Sequence, residues 1–315
     1  MLYLTEDDVR DLIDIAATIP ITREAIGALG RGEAMNIPRS RAKAPGIMLH
    51  NMHAAAEYLG VVGAKLYTTT KHGAQFWVML FSAESGDLLA MIEADYLGQL
   101  RTAAASAVAT DLLAVSDATT LGVIGTGTQA ACQIAAIREV RPIETIRVFS
   151  RTPEKREAFA KTLAESLERD VQAVDHPEKA VSVMQILVTA TTSRTPVFDG
   201  GWLEPGMHVN AMGSNDLRRA EIDMATVARA NLIVCDSKEA CRIEAGDFTQ
   251  SIIAGVVHYD AMFELSDLIN GNYPGRTDPE EITLFKSVGL AIEDVALGHA
   301  ILERAEAAGV GRQDA

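Results

Sequence analysis

The stretch TTLGVIGTGTQAACQIAAI, residues 119–137, decides the fold. Leu121 to Ile124 is a short apolar run without alternation, the pattern of a strand buried on both faces. It stops at Gly125-Thr126-Gly127-Thr128-Gln129-Ala130, and a helical pattern follows at once, with Ala131, Ile134, Ala135 and Ile137 on one face. Strand, glycine turn and helix in that order convert a bare G-x-G-x-x-A match into a dinucleotide expectation. Gly125 lets the chain turn, Gly127 has no Cβ to keep a pyrophosphate away, and Ala130 lets helix and strand approach closely. The helix N-terminus offers free N–H groups and a positive dipole end to the phosphates. An ordinary glycine-rich turn would read the same in isolation, so the flanks decide.

Downstream, apolar strands alternate with helices. The strand 145–151 precedes a helix from Pro153 to about Leu167, then comes the short strand VQAVD and a helix near Pro177 to Val183. Further strands are expected at 185–193, 207–215 and 231–237. Five to six parallel strands make a Rossmann doubly wound α/β domain over residues 116–289. A strand-like ITLFKSVG and a closing helix, Leu290 to Ala308, end the pattern. That helix carries Ala291, Ile292, Val295, Ala296 and Ala300 on one face and is expected to pack back on the N-terminal part. Residues 1–115 with 290–315 thus form a smaller α+β domain.

Upstream, Thr5 caps a helix with Val9, Leu12, Ile13 and Ala16 on its face, and a second helix is expected over Thr22 to Leu29, after Pro20. The stretch MNIPRSRAKAPGIML is broken by Pro38 and Pro45 and carries Arg39, Arg41 and Lys43. It is either a solvated loop or a local anion site. Strands follow from Leu59 to Ala90, with a turn at Ser85-Gly86 and Lys65 among apolar neighbours, open to solvent or to a pocket. The alanine-rich helix after Leu97 carries Arg101 in its expected first turn, where a cation opposes the dipole. Such an arginine suits a bound carboxylate.

The totals bound the rest. The 315 residues suffice for two domains, and 48% hydrophobic with 23% charged residues is ordinary for a globular chain. A net charge of −15 excludes nucleic acid as a partner, since a phosphate backbone would be repelled. Cys132, Cys235 and Cys241 form no C-x-x-C pair, so no disulfide framework or structural zinc is expected, and a reducing cytoplasm fits. No basic, apolar leader or spanning run occurs, so no membrane partner is expected. His50 and His53 have helical spacing but no third ligand nearby, so no metal is expected. Cys132 reads as a small buried residue of the fingerprint helix, and Phe76 and Trp77 as core or dimer-face residues.

The second strand of such a fold ends Phe149-Ser150-Arg151-Thr152, with Lys155 one turn on and no acid at the tip. An acid there would take the ribose hydroxyls of NAD; cations and hydroxyls suit a 2′-phosphate. NADP(H) is favoured, with NAD(H) as the alternative.

Six motifs in order resemble the ornithine cyclodeaminase and mu-crystallin family across most of the chain. They are Pro38-Arg39-Ser40-Arg41, Gly63-Ala64-Lys65, Leu100-Arg101-Thr102-Ala103-Ala104, Gly125-Thr126-Gly127-Thr128-Gln129-Ala130, Asn210-Ala211-Met212-Gly213 and Thr283-Leu284-Phe285-Lys286-Ser287-Val288-Gly289. The resemblance implies a dimeric enzyme with a substrate and dimerisation domain beside a Rossmann domain, acting on small amino or imino acids with a nicotinamide cofactor. It implies that Arg41 clamps the substrate carboxylate, with Arg39 as a neighbour able to take the role. Lys65 would meet the substrate amine or carboxylate, and Arg101 would be the second carboxylate arginine; these three are the expected catalytic residues. Asn215 and Val288 would also touch substrate. Thr126 to Ala130 would cradle the pyrophosphate, and Thr191, Thr192, Asn210, Met212 and Ser287 would line the ribose and nicotinamide.

One position departs from the family. Cyclodeaminases carry an aspartate two residues after the glycine of N-A-x-G; here Asn215 stands there and Asp216 is displaced by one. A neutral amide cannot take a proton. The expected reaction is therefore hydride transfer to the C=N carbon of a small α-imino acid, as in ketimine reductase or alanine dehydrogenase. The alternatives are an ornithine-type lyase that uses NAD catalytically and a non-catalytic mu-crystallin-like binder.

Overall fold

The structure, a computed structural model, describes residues 1–313. Residues 314–315, the end of the segment assigned above to the smaller domain, lie outside the described residues. By its contacts the chain forms two compact units: Met1–Ala104 with the segment from Gly289 onward, and Ala105–Val288.

The second unit is a parallel α/β sheet. Its eight strands lie in the order Phe263–Glu264, Leu232–Cys235, Thr283–Lys286, His208–Ala211, Ile186–Thr189, Thr120–Ile124, Thr145–Phe149 and Asp170–Ala173. Every neighbouring pair is parallel. The expected five to six strands are therefore too few. Thr283–Lys286 inserts between two strands that precede it in the chain, and Phe263–Glu264 is too short to carry a pattern. Around the fingerprint, Leu121, Val123, Ile134, Ile137, Ile146 and Val148 form one buried cluster, each side chain contributing about 1.5–3 kcal/mol by burial.

The central strands are buried along their whole length, so their polar members need partners. His208 Nδ1 lies 2.9 Å from Thr283 Oγ1, and Asn210 Nδ2 donates to Thr110 Oγ1 at 2.9 Å. Two arginines finish the long helix Asp95–Leu113. Arg141 Nη2 donates to the carbonyls of Thr110, Asp111 and Ala114, and Arg276 Nε to that of Leu113. They satisfy carbonyls that a helix end leaves orphaned.

The first unit is a seven-stranded sheet in the order Arg312–Gln313, Leu2–Leu4, Leu88–Glu93, Gly73–Ser82, Val61–Thr70, Ile47–Ala56 and Ala34–Ala44. Strand alternation sorts the residues. Val61, Gly63, Lys65 and Tyr67 are buried on the face covered by the closing helix Ala291–Ala308, while Val62 is exposed on the other. A Cβ at Gly63 would meet Val295 Cγ2 at 2.9 Å, which explains the glycine of the Gly63-Ala64-Lys65 motif.

Several local expectations change. Thr5 does cap the first helix, Glu6–Leu12, through a capping box, but the second helix runs Ile15–Arg31 with Pro20 inside it. Asp14 caps that helix, and its interior proline forfeits one backbone hydrogen bond rather than ending it. The proline-broken stretch is no loop: it forms the strands Ala34–Ala44 and Ile47–Ala56, with a register irregularity between Ile37 and Ser40 that absorbs Pro38. His50 and His53 lie on that second strand, so they point to opposite faces instead of sharing a helical one.

Candidate active site

In the first unit, cations from three elements converge. Lys65 comes from the strand Val61–Thr70, Arg39 from the strand Ala34–Ala44, and Arg101 from the helix Asp95–Leu113. Their exposures are 3%, 7% and 7%. Buried cations need carboxylates, and the closing helix supplies two from its first turn, Glu293 and Asp294, both fully buried. Lys65 Nζ donates to Asp294 Oδ1 at 2.7 Å, Arg101 Nη1 donates to Glu293 Oε2 at 2.9 Å, and Arg101 Nε lies 3.1 Å from Asp294 Oδ1. Asn36 Oδ1 takes the N–H of Ile292, so the same helix terminus that favours negative charge is capped from a strand.

Burial pushes the Lys65 ammonium down to about 8; Asp294 opposes this, while Arg101 and Arg39 reinforce it. Arg101 goes the other way. Burial opposes its charge, but Asp294 and Glu293 more than offset that and hold it above the usual guanidinium range. His50 stacks on Tyr67 with centroids 4.1 Å apart, and Tyr67 stacks on Phe76 at 5.1 Å. Burial, then Arg41 and Arg39, lower His50 to about 4, so it is neutral near pH 7. Arg39 lies 6.0 Å from the Tyr67 centroid and Lys65 Nζ 5.4 Å from that of Phe76, so an aromatic wall flanks the cations.

One expectation about these cations is corrected, and the two alternatives at the strand Ala34–Ala44 differ in burial. Arg101 sits in the second turn of its helix, since the helix starts at Asp95, so it is held by carboxylates and not set against the helix dipole. Arg41 is exposed, whereas Arg39 is buried among the aromatic rings and couples to Lys65. By register Arg41 pairs with His50, which pairs with Tyr67, so it lies on the same face as Lys65 and differs from Arg39 in exposure and not in direction.

In the second unit the fingerprint has the shape a pyrophosphate needs. Gly125 has φ +122°, and a Cβ there would clash with the Ala190 carbonyl oxygen. Gly127 is the N-cap of the helix Thr128–Val140, no side chain caps it, and a Cβ on it would meet nothing within 4 Å. Gly127 and Thr128 are exposed, Thr126 and Gln129 half-buried and Ala130 buried. These residues therefore fit a diphosphate: open space lies beside a helix N-terminus that no side chain caps. At the tip of the next strand Arg151 and Thr152 are exposed, Ser150 is half-buried, and Arg156 Nη1 donates to the Ser150 carbonyl at 3.0 Å.

The remaining expected ligand residues sit less directly. Asn210 is fully buried with its amide on Thr110, and Ser287 is buried and donates to Asp236 Oδ2 at 3.0 Å. Val288 is buried, its N–H on the same Asp236 oxygen at 2.7 Å. All three are buried at the end of the sheet, and Asn210 Oδ1 has no hydrogen-bond partner among the described residues. Thr192 is exposed, while Thr191, Met212 and Asn215 are half-buried. Asp216 is gripped by Arg218 at 2.6 Å, whose hydrogen bonds hold its carboxyl far below the usual range.

Sequence reading missed the carboxylates beneath these loops. Glu221, fully buried, accepts from Thr189 Oγ1 at 2.9 Å, the Thr191 N–H at 2.6 Å and the Gly213 N–H at 2.6 Å, tying two strand-end loops together. Lys286 donates to the Ser214 carbonyl at 2.7 Å and pairs with Asp247 at 2.7 Å. The signal for Glu293 and Asp294 was available: both interrupt the apolar face around Ala291, Ile292, Val295 and Ala296.

The ornithine cyclodeaminase/mu-crystallin family model matches residues 2–309. The chain belongs to this family. It is 40% identical over 270 residues to a Δ1-pyrroline-2-carboxylate reductase of Bacillus cereus, 83% of each chain. The structure of the Thermococcus litoralis Δ1-pyrroline-2-carboxylate reductase, in complex with NADH and L-proline, superposes with a TM-score of 0.96 at 32% identity, covering 100% of both chains. An archaeal alanine dehydrogenase dimer with bound NAD gives 0.94 at 29% identity, covering 100% of this chain and 99% of that one. This chain combines the buried Arg39, Lys65 and Arg101 set with Asn215 two residues after the glycine of Asn210-Ala211-Met212-Gly213. Among the described residues no helix is long and apolar enough to cross a membrane.

Proposed function

We propose that this family member reduces Δ1-pyrroline-2-carboxylate, or a closely related cyclic α-imino acid, to the corresponding L-amino acid. The chain is an NAD(P)-dependent oxidoreductase acting on the C–N bond of imino or amino acids. The observation that carries the finer reading is the buried trio of Arg39, Lys65 and Arg101 beside an aromatic wall, which suits a small ring bearing one carboxylate. The bound dinucleotide supplies the hydride that the C=N carbon accepts. Arg39, with Arg41 at the exposed end of the same strand, is assigned the substrate carboxylate. Arg101 is assigned its second contact. Lys65, at about 8, holds a proton near neutral pH and yields it to the nitrogen as the carbon is reduced.

The lyase alternative needs a carboxylate base at the amine. Asn215 cannot serve, and Asp216 is occupied by Arg218. The test is a parallel assay: pyrroline-2-carboxylate with NADH or NADPH, and ornithine with catalytic NAD⁺. Loss of nicotinamide absorbance in the first arm and no ammonia in the second is the expected pair. Ammonia release from ornithine without net redox change would overturn the reading, and silence in both arms would favour a binding protein.

We assign the 2′-phosphate form, NADP(H), to the exposed Arg151 with Ser150 and Thr152. Arg151→Ala is expected to raise KM for NADPH about tenfold, the loss of one charge-assisted contact, with NADH unaffected. Equal effects on both cofactors would contradict the assignment. A homodimer is supported by the sheet face opposite the helices, where Met35, Ile37, Ile47, Leu49 and Val62 are all exposed and share one side by register. Sedimentation is expected to give twice the chain mass; a monomer at micromolar concentration would contradict it.

A further inference from the structure

Lys65 cannot tune itself; its proton affinity depends on what its amine touches. Two features surround that atom. Asp294 Oδ1 lies 2.7 Å from it, and an ideal Cβ at Gly98 would lie 2.6 Å from it. Gly98 stands in the first turn of the helix Asp95–Leu113, one turn before Arg101, and glycine within a helix costs up to about 1 kcal/mol relative to alanine. The chain accepts that cost where the ammonium occupies the space a methyl group would take. Gly289 repeats the arrangement on the other cation: a Cβ there would meet Arg101 Nη1 at 2.5 Å. Asp294 in turn sits on both cations, at 2.7 Å from Lys65 Nζ and 3.1 Å from Arg101 Nε.

We infer that Asp294 and Gly98 are positioning residues that set where Lys65 keeps its amine and at what pH it holds its proton. The inference rests on the proposed proton-donor role of Lys65. The charged groups acting on the amine are Asp294 from the closing helix, Arg101 from the long helix and Arg39 from the edge strand; Glu293 and Tyr67 act on Arg101, and His50 stands by Arg39 and Arg41. Of these, Asp294 is the negative group in direct contact, so removing its charge leaves Lys65 among cations and lowers its proton affinity. A lysine acting as donor must be protonated, so kcat for imine reduction falls as pH rises through its pKa. Less affinity moves that fall to lower pH.

The test is kcat against pH, at saturating imino acid and cofactor, for the intact enzyme and three variants: Asp294→Asn, Gly98→Ala and Lys65→Ala. The intact enzyme is expected to lose activity through about pH 8. Asp294→Asn is expected to move this limb down by about one pH unit or more, and Asp294→Glu to restore it in part. Gly98→Ala should displace the flexible amine without unfolding the helix, giving the same downward shift with helical circular dichroism retained. If the limb is present, vanishes in Lys65→Ala, but does not move in Asp294→Asn or Gly98→Ala, the inference is overturned while the donor role stands. If Lys65→Ala retains the limb, the donor role fails and takes the inference with it.

Discussion

Replacing Lys65 by alanine is expected to lower kcat for imine reduction by about 10²–10⁴-fold, the range for loss of a positioned proton donor. Cofactor affinity, read from NAD(P)H fluorescence, should change little, because the glycine turn and the loops after the parallel strands lie in the second unit. The substitution removes the ammonium from Asp294 but leaves Arg101 within 3.1 Å of the same carboxylate, so that carboxylate keeps a cation. Far-ultraviolet circular dichroism should therefore be retained. A parallel loss of cofactor binding and kcat would show that Lys65 holds the fold together and does not act on the substrate.

Arg101→Ala should instead act first on stability. It strips Glu293 of its 2.9 Å guanidinium partner and leaves Asp294 with Lys65 alone, in a place where both carboxylates are fully buried. Breaking a buried pair on one side costs about 3–5 kcal/mol, a large part of the stability of a typical domain. Urea unfolding is expected to show this loss in the transition of the first unit, with activity abolished even where the protein remains folded. Changing Arg101 and Glu293 together to apolar residues of similar volume should recover much of the stability and none of the activity. An Arg101→Ala protein as stable as the parent would mean that the two carboxylates are not charged in the folded chain.

The contrast between these residues marks how far sequence could go. The parallel sheet was legible because strands buried on both faces read as apolar runs, and Gly125 and Gly127 mark the turn by need of space: one for a φ of +122°, the other for an open approach. The strand Ala34–Ala44 was not legible, because prolines and cations mask a strand whose pairing is supplied by a distant partner, Ile47–Ala56. Arg39 and Arg41 also stay undecided in the sequence, since Arg41 too comes to the Tyr67 face and only burial, set by neighbouring strands, separates the two. Asn210 and Ser287 also hold their own structure, the Asn210 amide on Thr110 and the Ser287 hydroxyl on Asp236, a second use that no motif shows. Glu221, Glu293 and Asp294 show the converse: carboxylates inside apolar stretches whose partners arrive from elsewhere in the chain. Periodicity finds elements, but long-range pairing decides which polar groups remain available.

The most direct measurement is isotopic. The enzyme is incubated with Δ1-pyrroline-2-carboxylate and nicotinamide cofactor deuterated at the transferring position, and the product is analysed by mass spectrometry and proton NMR. The account predicts L-proline carrying one deuterium at Cα, formed in step with cofactor oxidation. Proline without deuterium at Cα, or cofactor consumed with no proline, would contradict it.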